Sequence, residues 1–169
     1  MRELHLEGRA RVIGDDINTD YIIASHRKRD SLDPQVLRHF LFETIDPAFA
    51  ASIAPGDIIV AGKNFGCGSA MEVAATAVLG AGINAVLARS FARTYYRNAI
   101  NNGLLPILCD THGIGEGGRL TITVGDEVRV WDADRRVALP GEPIPQIMLD
   151  ILAAGGIVPY LRSHRDFVI

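Results

Sequence analysis

The sequence predicts an α/β domain, a mixed β-sheet with helices on its faces, and three observations carry that reading. First, a strand–helix–strand–helix–strand run occupies residues 57–109, and crossovers through helices make parallel neighbours. Second, Leu120-Thr121-Ile122-Thr123-Val124 and Glu127-Val128-Arg129-Val130-Trp131 alternate around Gly125-Asp126, a hairpin signature. Third, 169 residues with 48% hydrophobic and 22% charged content suit one compact domain over 1–169 with a full core.

In chain order, residues 3–13 alternate polar and apolar and read as a strand ending at Gly14. Asp15 to Asp20 is rich in turn formers, and residues 20–33, without a period, read as a mobile surface loop carrying His26-Arg27-Lys28-Arg29. Val36, Leu37, Phe40 and Leu41 have helical spacing, with Asp33 as N-cap and Pro34 at N1, so a helix is predicted from Pro34 to about Ile45. A short helix is expected over 47–53, then a turn at Pro55-Gly56-Asp57 and a buried strand to Ala61. After a glycine loop, a helix is predicted over 70–79, stopped by Gly80 and Gly82. A strand over 84–88, a helix from about Ser90 to Gly103 and a strand over 105–109 complete the parallel run. A last helix is predicted over 145–154, before Gly155-Gly156.

Composition excludes several function classes. A net charge of −3 with scattered basic residues argues against a nucleic-acid partner. The N-terminus lacks the continuous apolar stretch of a signal peptide, and Ile147–Val158 carries an Asp and two glycines and cannot span a bilayer. Two cysteines, Cys67 and Cys109, are too few for a disulfide scaffold and point to a reducing cytoplasm; they are also too few for an iron–sulfur cluster. His112 has no spaced partner for a metal site, and His5, His39 and His164 read as surface residues.

The loop Asn64-Phe65-Gly66-Cys67-Gly68-Ser69, between a strand and a helix, holds the most chemistry. If the helix starts there, the N–H groups of Gly68, Ser69 and Ala70 point out of its N-terminus and make an anion site, with Gly66 and Gly68 permitting close approach. The alternative is that Ser69 is only an N-cap. A Walker loop is excluded because Cys67 and Gly68 follow Gly66, and a dinucleotide fingerprint fails because Met71 stands where its third glycine belongs.

The string Gly62-Lys63-Asn64-Phe65-Gly66-Cys67-Gly68-Ser69 resembles the active-site loop of aconitase-type small subunits. Three further segments resemble that family in order and spacing: Asp16-Ile17-Asn18-Thr19-Asp20-Tyr21-Ile22-Ile23, the stretch from Ser90 to Pro106, and the stretch from Ile151 to Leu161. In order and spacing the resemblance extends over roughly residues 5–163. The resemblance implies the swivelling β/β/α domain of aconitases and half of a two-subunit lyase. It implies a separate large subunit, in a heterodimer or heterotetramer, that carries a four-iron, four-sulfur cluster, with no cofactor in this chain. The expected reaction dehydrates and rehydrates a small 2-hydroxy diacid, isopropylmalate first, with homoaconitate, citramalate or 2,3-dimethylmalate as alternatives.

By the same resemblance, Ser69 as an alkoxide takes the proton next to a carboxylate while the cluster iron accepts the hydroxyl. Asp20 would join the hydrogen-bond network near that hydroxyl, or serve only as a turn residue. Asn64, Gly66, Gly68 and Ala70 would line the substrate. One departure stands out: the family loop usually continues Ser-Ser-Arg-Glu-His-Ala, whereas this chain reads Ser69-Ala70-Met71-Glu72-Val73-Ala74. Methionine has neither the charge nor the fork that grips a carboxylate. Either one of Arg27, Lys28 and Arg29, in the loop over the substrate's variable group, replaces that cation, or the substrate differs, or the chain is a binding subunit without turnover.

Overall fold

The computed structural model describes residues 3–165. Seven strands form one sheet in the order β4-β3-β2-β1-β5-β6-β7, and β1 (Leu4–Val12) joins its two halves. The first part of β1 pairs antiparallel with β5 (Arg119–Val124), from Leu4↔Val124 to Arg9↔Arg119; its last residues pair parallel with β2 (Ile58–Val60), from Ala10↔Ile58 to Val12↔Val60. Parallel pairing continues through β3 (Ala85–Ala88) to β4 (Leu105–Leu108), as the crossovers require. The predicted hairpin is present as β5 with β6 (Val128–Asp132). A strand that the alternation did not predict, β7 (Val137–Gly141), adds to its far edge.

The two sheet edges then meet. Gly141 bridges to Cys109 just past β4, and the Glu142 N–H donates to the Leu108 carbonyl at 2.8 Å. The curled sheet thus encloses one core, made by Ala10, Ile58, Val60, Leu87, Ile107, Leu120, Ile122 and Val130 among others. Ile59, Val86 and Ala88, alternating with them, belong to a second core under the helices. Strands covered on both faces read as continuous apolar runs, which is why β2 to β4 were legible.

Helices α4 (Val73–Gly80) and α5 (Arg93–Asn102) are the crossovers. Gly103 ends α5 in the left-handed region at φ 87°, letting the Leu104 N–H reach the Ala99 carbonyl at 2.8 Å. Helix α6 (Gln146–Ala153) matches the expected last helix, but Gly155-Gly156 is a corner and α7 (Ile157–His164) follows it. Earlier in the chain the reading needs correction. The expected loop over 20–33 holds α1 (Thr19–Ile22) and a 3-10 turn, Ser25–Arg29, containing the whole basic run. Asp33 caps α2 as expected, accepting from the Gln35 N–H at 2.9 Å, but α2 covers only Pro34–Leu37 before a 3-10 turn, Arg38–Phe40. The helix stops because Leu41 and Phe42, both fully buried, must turn inward, and Phe42 does so at φ 56° while donating to the Ile22 carbonyl at 3.0 Å. A short α3 (Phe49–Ser52) packs there, its Phe49 ring 4.9 Å from Phe42 and edge-on.

Candidate active site

The four parallel strands deliver their carboxyl ends to one rim, where segments 13–20, 61–70, 89–92 and 109–112 lie; open α/β sheets place ligands at that rim. The glycine loop is tied down there over its whole length. Its Gly62 and Gly66 N–H groups donate to the carbonyls of Gly14 (3.1 Å) and Ile17 (2.8 Å). In return the N–H groups of Asp16 and Thr19 donate to Lys63 (2.8 Å) and Cys67 (2.8 Å). Phe65, fully buried, anchors the loop from below, edge-on to Tyr95 at 5.0 Å and Phe91 at 5.9 Å.

Both glycines are required where they stand. Gly66 has φ 79°, and a Cβ there would overlap the Tyr95 ring, itself fixed by donating its hydroxyl to the Ala74 carbonyl at 2.9 Å. Gly68 has φ 93°, and a Cβ would stand 2.5 Å from Asn18 Oδ1. Asn64, at φ 57°, donates its side-chain amide to Asp16 Oδ1 at 3.0 Å and its backbone N–H to Ser90 Oγ at 2.7 Å, so it braces the loop.

Ser69 is exposed, and its hydroxyl has no partner among the described residues. Its carbonyl is held by the Thr19 hydroxyl, which donates at 2.9 Å. The N-cap reading and the helix-dipole reading both need correction. Helix α4 starts at Val73 with Glu72 at its N-cap, so Gly68, Ser69 and Ala70 belong to an exposed loop ahead of the helix. The cause is Met71, whose side chain is 4% exposed and packs into the same core as Ile17, Phe65 and Ala74, pulling the chain inward before a helix can begin. The residue at the expected arginine position therefore faces the core.

Asp20, one residue past Thr19, accepts the Ser25 N–H on Oδ1 at 3.0 Å, which leaves Oδ2 without a partner among the described residues. The two candidate arginines separate. Arg27 donates from Nε and Nη2 to the two carboxylate oxygens of Glu43, at 2.9 and 2.8 Å, and lies 3.8 Å over the Phe40 ring. Its hydrogen bonds with Glu43 raise its pKa, and the same bonds lower that of Glu43. Arg27 is therefore committed within the chain, whereas Arg29 is exposed and has no partner among the described residues.

Sequence reasoning missed Thr19, although it lay inside a quoted motif, and it missed the pair Asp15–Arg89. Asp15 Oδ1 accepts the Lys63 N–H at 2.7 Å and Arg89 Nη2 at 2.8 Å, and these, the amide first, hold its carboxyl below the usual range. Seventy-four positions separate the partners, and no local pattern marks them. A cleft of about 320 Å³ between Asp15, Gly62, Arg89 and His112 lies along the rim, but Ser69 and Asp20 do not line it. Among the described residues no group of three His, Cys, Asp or Glu side chains is placed to hold a metal. Cys109 is buried, which pushes its thiol up to about 12, away from the thiolate a metal needs. No helix of the described residues is long and apolar enough to cross a membrane.

Comparison with known proteins agrees with this geometry. The aconitase C-terminal domain family matches residues 21–112. The 3-isopropylmalate dehydratase small subunit 2 of Archaeoglobus fulgidus is 42% identical over 168 residues, covering 98% of this chain and 100% of that one. The methanogen homoaconitase small subunit of Methanocaldococcus jannaschii is 41% identical over 160 residues, 95% of this chain and 93% of that one. A crystal structure of 3-isopropylmalate dehydratase from Methanocaldococcus jannaschii superposes with a TM-score of 0.88 at 39% identity, covering 96% of each chain.

Proposed function

The chain belongs to the aconitase C-terminal domain family, and from that premise we propose that it is the small subunit of a 3-isopropylmalate dehydratase, a hydro-lyase that interconverts 2- and 3-isopropylmalate by dehydration and rehydration. The observation that carries the reading is the state of Ser69: an exposed hydroxyl, unpartnered among the described residues, on a loop whose backbone is held by hydrogen bonds up to the Ser69 carbonyl. Such a group is positioned for a substrate and is not consumed by the fold. Ser69, as an alkoxide, takes the proton from the carbon next to a carboxylate and becomes the neutral hydroxyl, and Asp20 lies one residue from the clamp that holds Ser69. A four-iron, four-sulfur cluster held by the large subunit would supply the Lewis acid at the leaving hydroxyl; two cysteines in this chain are too few to hold one. The pair works in the cytoplasm, where its thiolates stay reduced.

With Met71 in the core, the cation for a substrate carboxylate comes from elsewhere, and Arg29 is exposed and unpartnered among the described residues. Relatives named for homoaconitate are about as similar as those named for isopropylmalate, so the test runs both. The pair is co-expressed, reconstituted anaerobically and assayed against a panel of 2-hydroxy diacids. 3-Isopropylmalate is expected to give the highest kcat/KM; preference for homoaconitate would reassign the substrate. Ser69→Ala is expected to lower kcat by roughly 10²–10⁴-fold. Full turnover in that variant would remove Ser69 from the chemistry.

A further inference from the structure

We infer that Thr19 is a positioning residue for Ser69, an inference that rests on the proposed role of Ser69 as the base. Thr19 is 2% exposed and touches the loop twice. Its N–H donates to the Cys67 carbonyl at 2.8 Å and its hydroxyl to the Ser69 carbonyl at 2.9 Å. One buried residue thus grips the loop on both sides of Gly68, the position where a glycine's freedom most needs restraint. The hydroxyl has a single proton, and the contact to Asn18 Oδ1 at 3.4 Å is the longer of its two, so the Ser69 carbonyl receives it.

The restraint is local to Ser69. Ahead of it, Gly66, Cys67 and Lys63 are all in backbone hydrogen bonds to the 14–19 segment. Beyond it the chain has no such tie among the described residues until Met71 enters the core. The hydroxyl of Thr19 is therefore the last tether on the residue that carries the candidate base. Asp20 follows Thr19 directly, and its N–H donates to Asn18 Oδ1 at 2.9 Å. The same turn consequently sets where the Ser69 hydroxyl and the Asp20 carboxylate stand relative to each other. Threonine suits the place because its methyl packs into a buried site while its hydroxyl supplies the donor. Valine keeps the shape and removes only the donor.

The test uses the reconstituted two-subunit enzyme with 3-isopropylmalate. Thr19→Val is expected to lower kcat by about tenfold to a hundredfold, the scale of a small misplacement of a reacting group, with KM within about threefold. Thr19→Ser, which keeps the donor, is expected to stay within about threefold of the parent in both constants. Hydrogen–deuterium exchange of the amides over 67–71 is expected to quicken in Thr19→Val and not in Thr19→Ser. A parental kcat in Thr19→Val, an equal loss in the serine variant, or a loss confined to KM would overturn the inference. Should the valine variant fail to assemble with its partner, Thr19→Ala carries the same comparison. Ser69→Ala is run alongside: if it abolishes turnover while Thr19→Val is unaffected, only the positioning role fails. If Ser69→Ala is fully active, the base assignment falls and takes the positioning role with it.

Discussion

Arg27 and Arg29 stand two residues apart on one short turn and have opposite surroundings. Arg27 is bidentate to Glu43 and stacked on Phe40, and its side chain is 29% exposed. Removing it takes away a charge-assisted fork and a cation–π contact, together worth about 1–2 kcal/mol at such a site. For a chain of this size that is roughly 2–8 °C in melting temperature. Arg27→Ala should therefore melt earlier than the parent, by calorimetry or circular dichroism; an unchanged melt would contradict the committed role. Arg29→Ala should melt like the parent and raise KM for the diacid in the assembled enzyme, and an unchanged KM would leave the substrate's charge to another cation. The sequence displayed four basic residues in a row and nothing to rank them, because the carboxylate that singles out Arg27 lies sixteen positions away. Met71 was misleading in the same way: its identity was readable, but its burial was not.

At the scale of elements, the period of the apolar residues was informative wherever an element is buried on one or both faces, as in β1 to β6, α5 and α6. It failed at exposed edges and at corners. Pro140 disguised β7, which tolerates a proline as an edge strand, and Gly155-Gly156 looked like an end although α7 starts straight after them. The glycine loop's position between strand and helix was legible, but its length was not, since only the packing of Met71 delays α4 to Val73. One junction of elements was invisible in the sequence: Asp57, ahead of β2, accepts from Arg9 Nε and Nη2 at 3.1 and 2.7 Å, from Arg11 Nη1 at 3.3 Å and from the Ala54 N–H at 2.9 Å. Both arginines of β1 also donate to the Ser52 carbonyl at the end of α3. Burial alone would push the Asp57 carboxyl up, but the hydrogen bonds from Arg9, Ala54 and Arg11 outweigh it and hold the group below the ordinary aspartate range. With a depressed folded value, its contribution is complete above the unfolded value of about 3.9 and is lost as pH falls through the folded one. Asp57→Asn should therefore lower stability at neutral pH and flatten the loss of stability below pH about 4. Denaturant titrations at pH 7 and pH 3 check this, and a parallel acid loss in both proteins would assign it elsewhere. Asp57→Ala removes the acceptor shared by Arg9, Arg11 and the Ala54 N–H, while Arg11 keeps Glu116 and Ser52, and should cost roughly 1–3 kcal/mol at pH 7.

At the scale of the molecule, the sheet closes on itself through Cys109 and Gly141, its interior is filled with side chains, and its working groups are set on the outer rim. Ser69, Asp20 and Arg29 line none of four clefts of about 200–630 Å³ on the surface. A small diacid held by an open loop has water on most of its surface, and the field of a few polar groups is weak there. Among the described residues these groups therefore have none of the enclosure that would sharpen their field. On the proposed function, a large subunit covering the rim would supply the enclosure. The isolated chain, incubated anaerobically with iron and sulfide, is therefore expected to gain no cluster absorption, to bind 3-isopropylmalate too weakly for calorimetry, and to turn none over. Titrating in the large subunit should bring activity that rises with the complex and saturates when the small chain is fully bound. Turnover by the chain alone, or activity of the large subunit unaffected by its addition, would show that the rim is not half of a shared site.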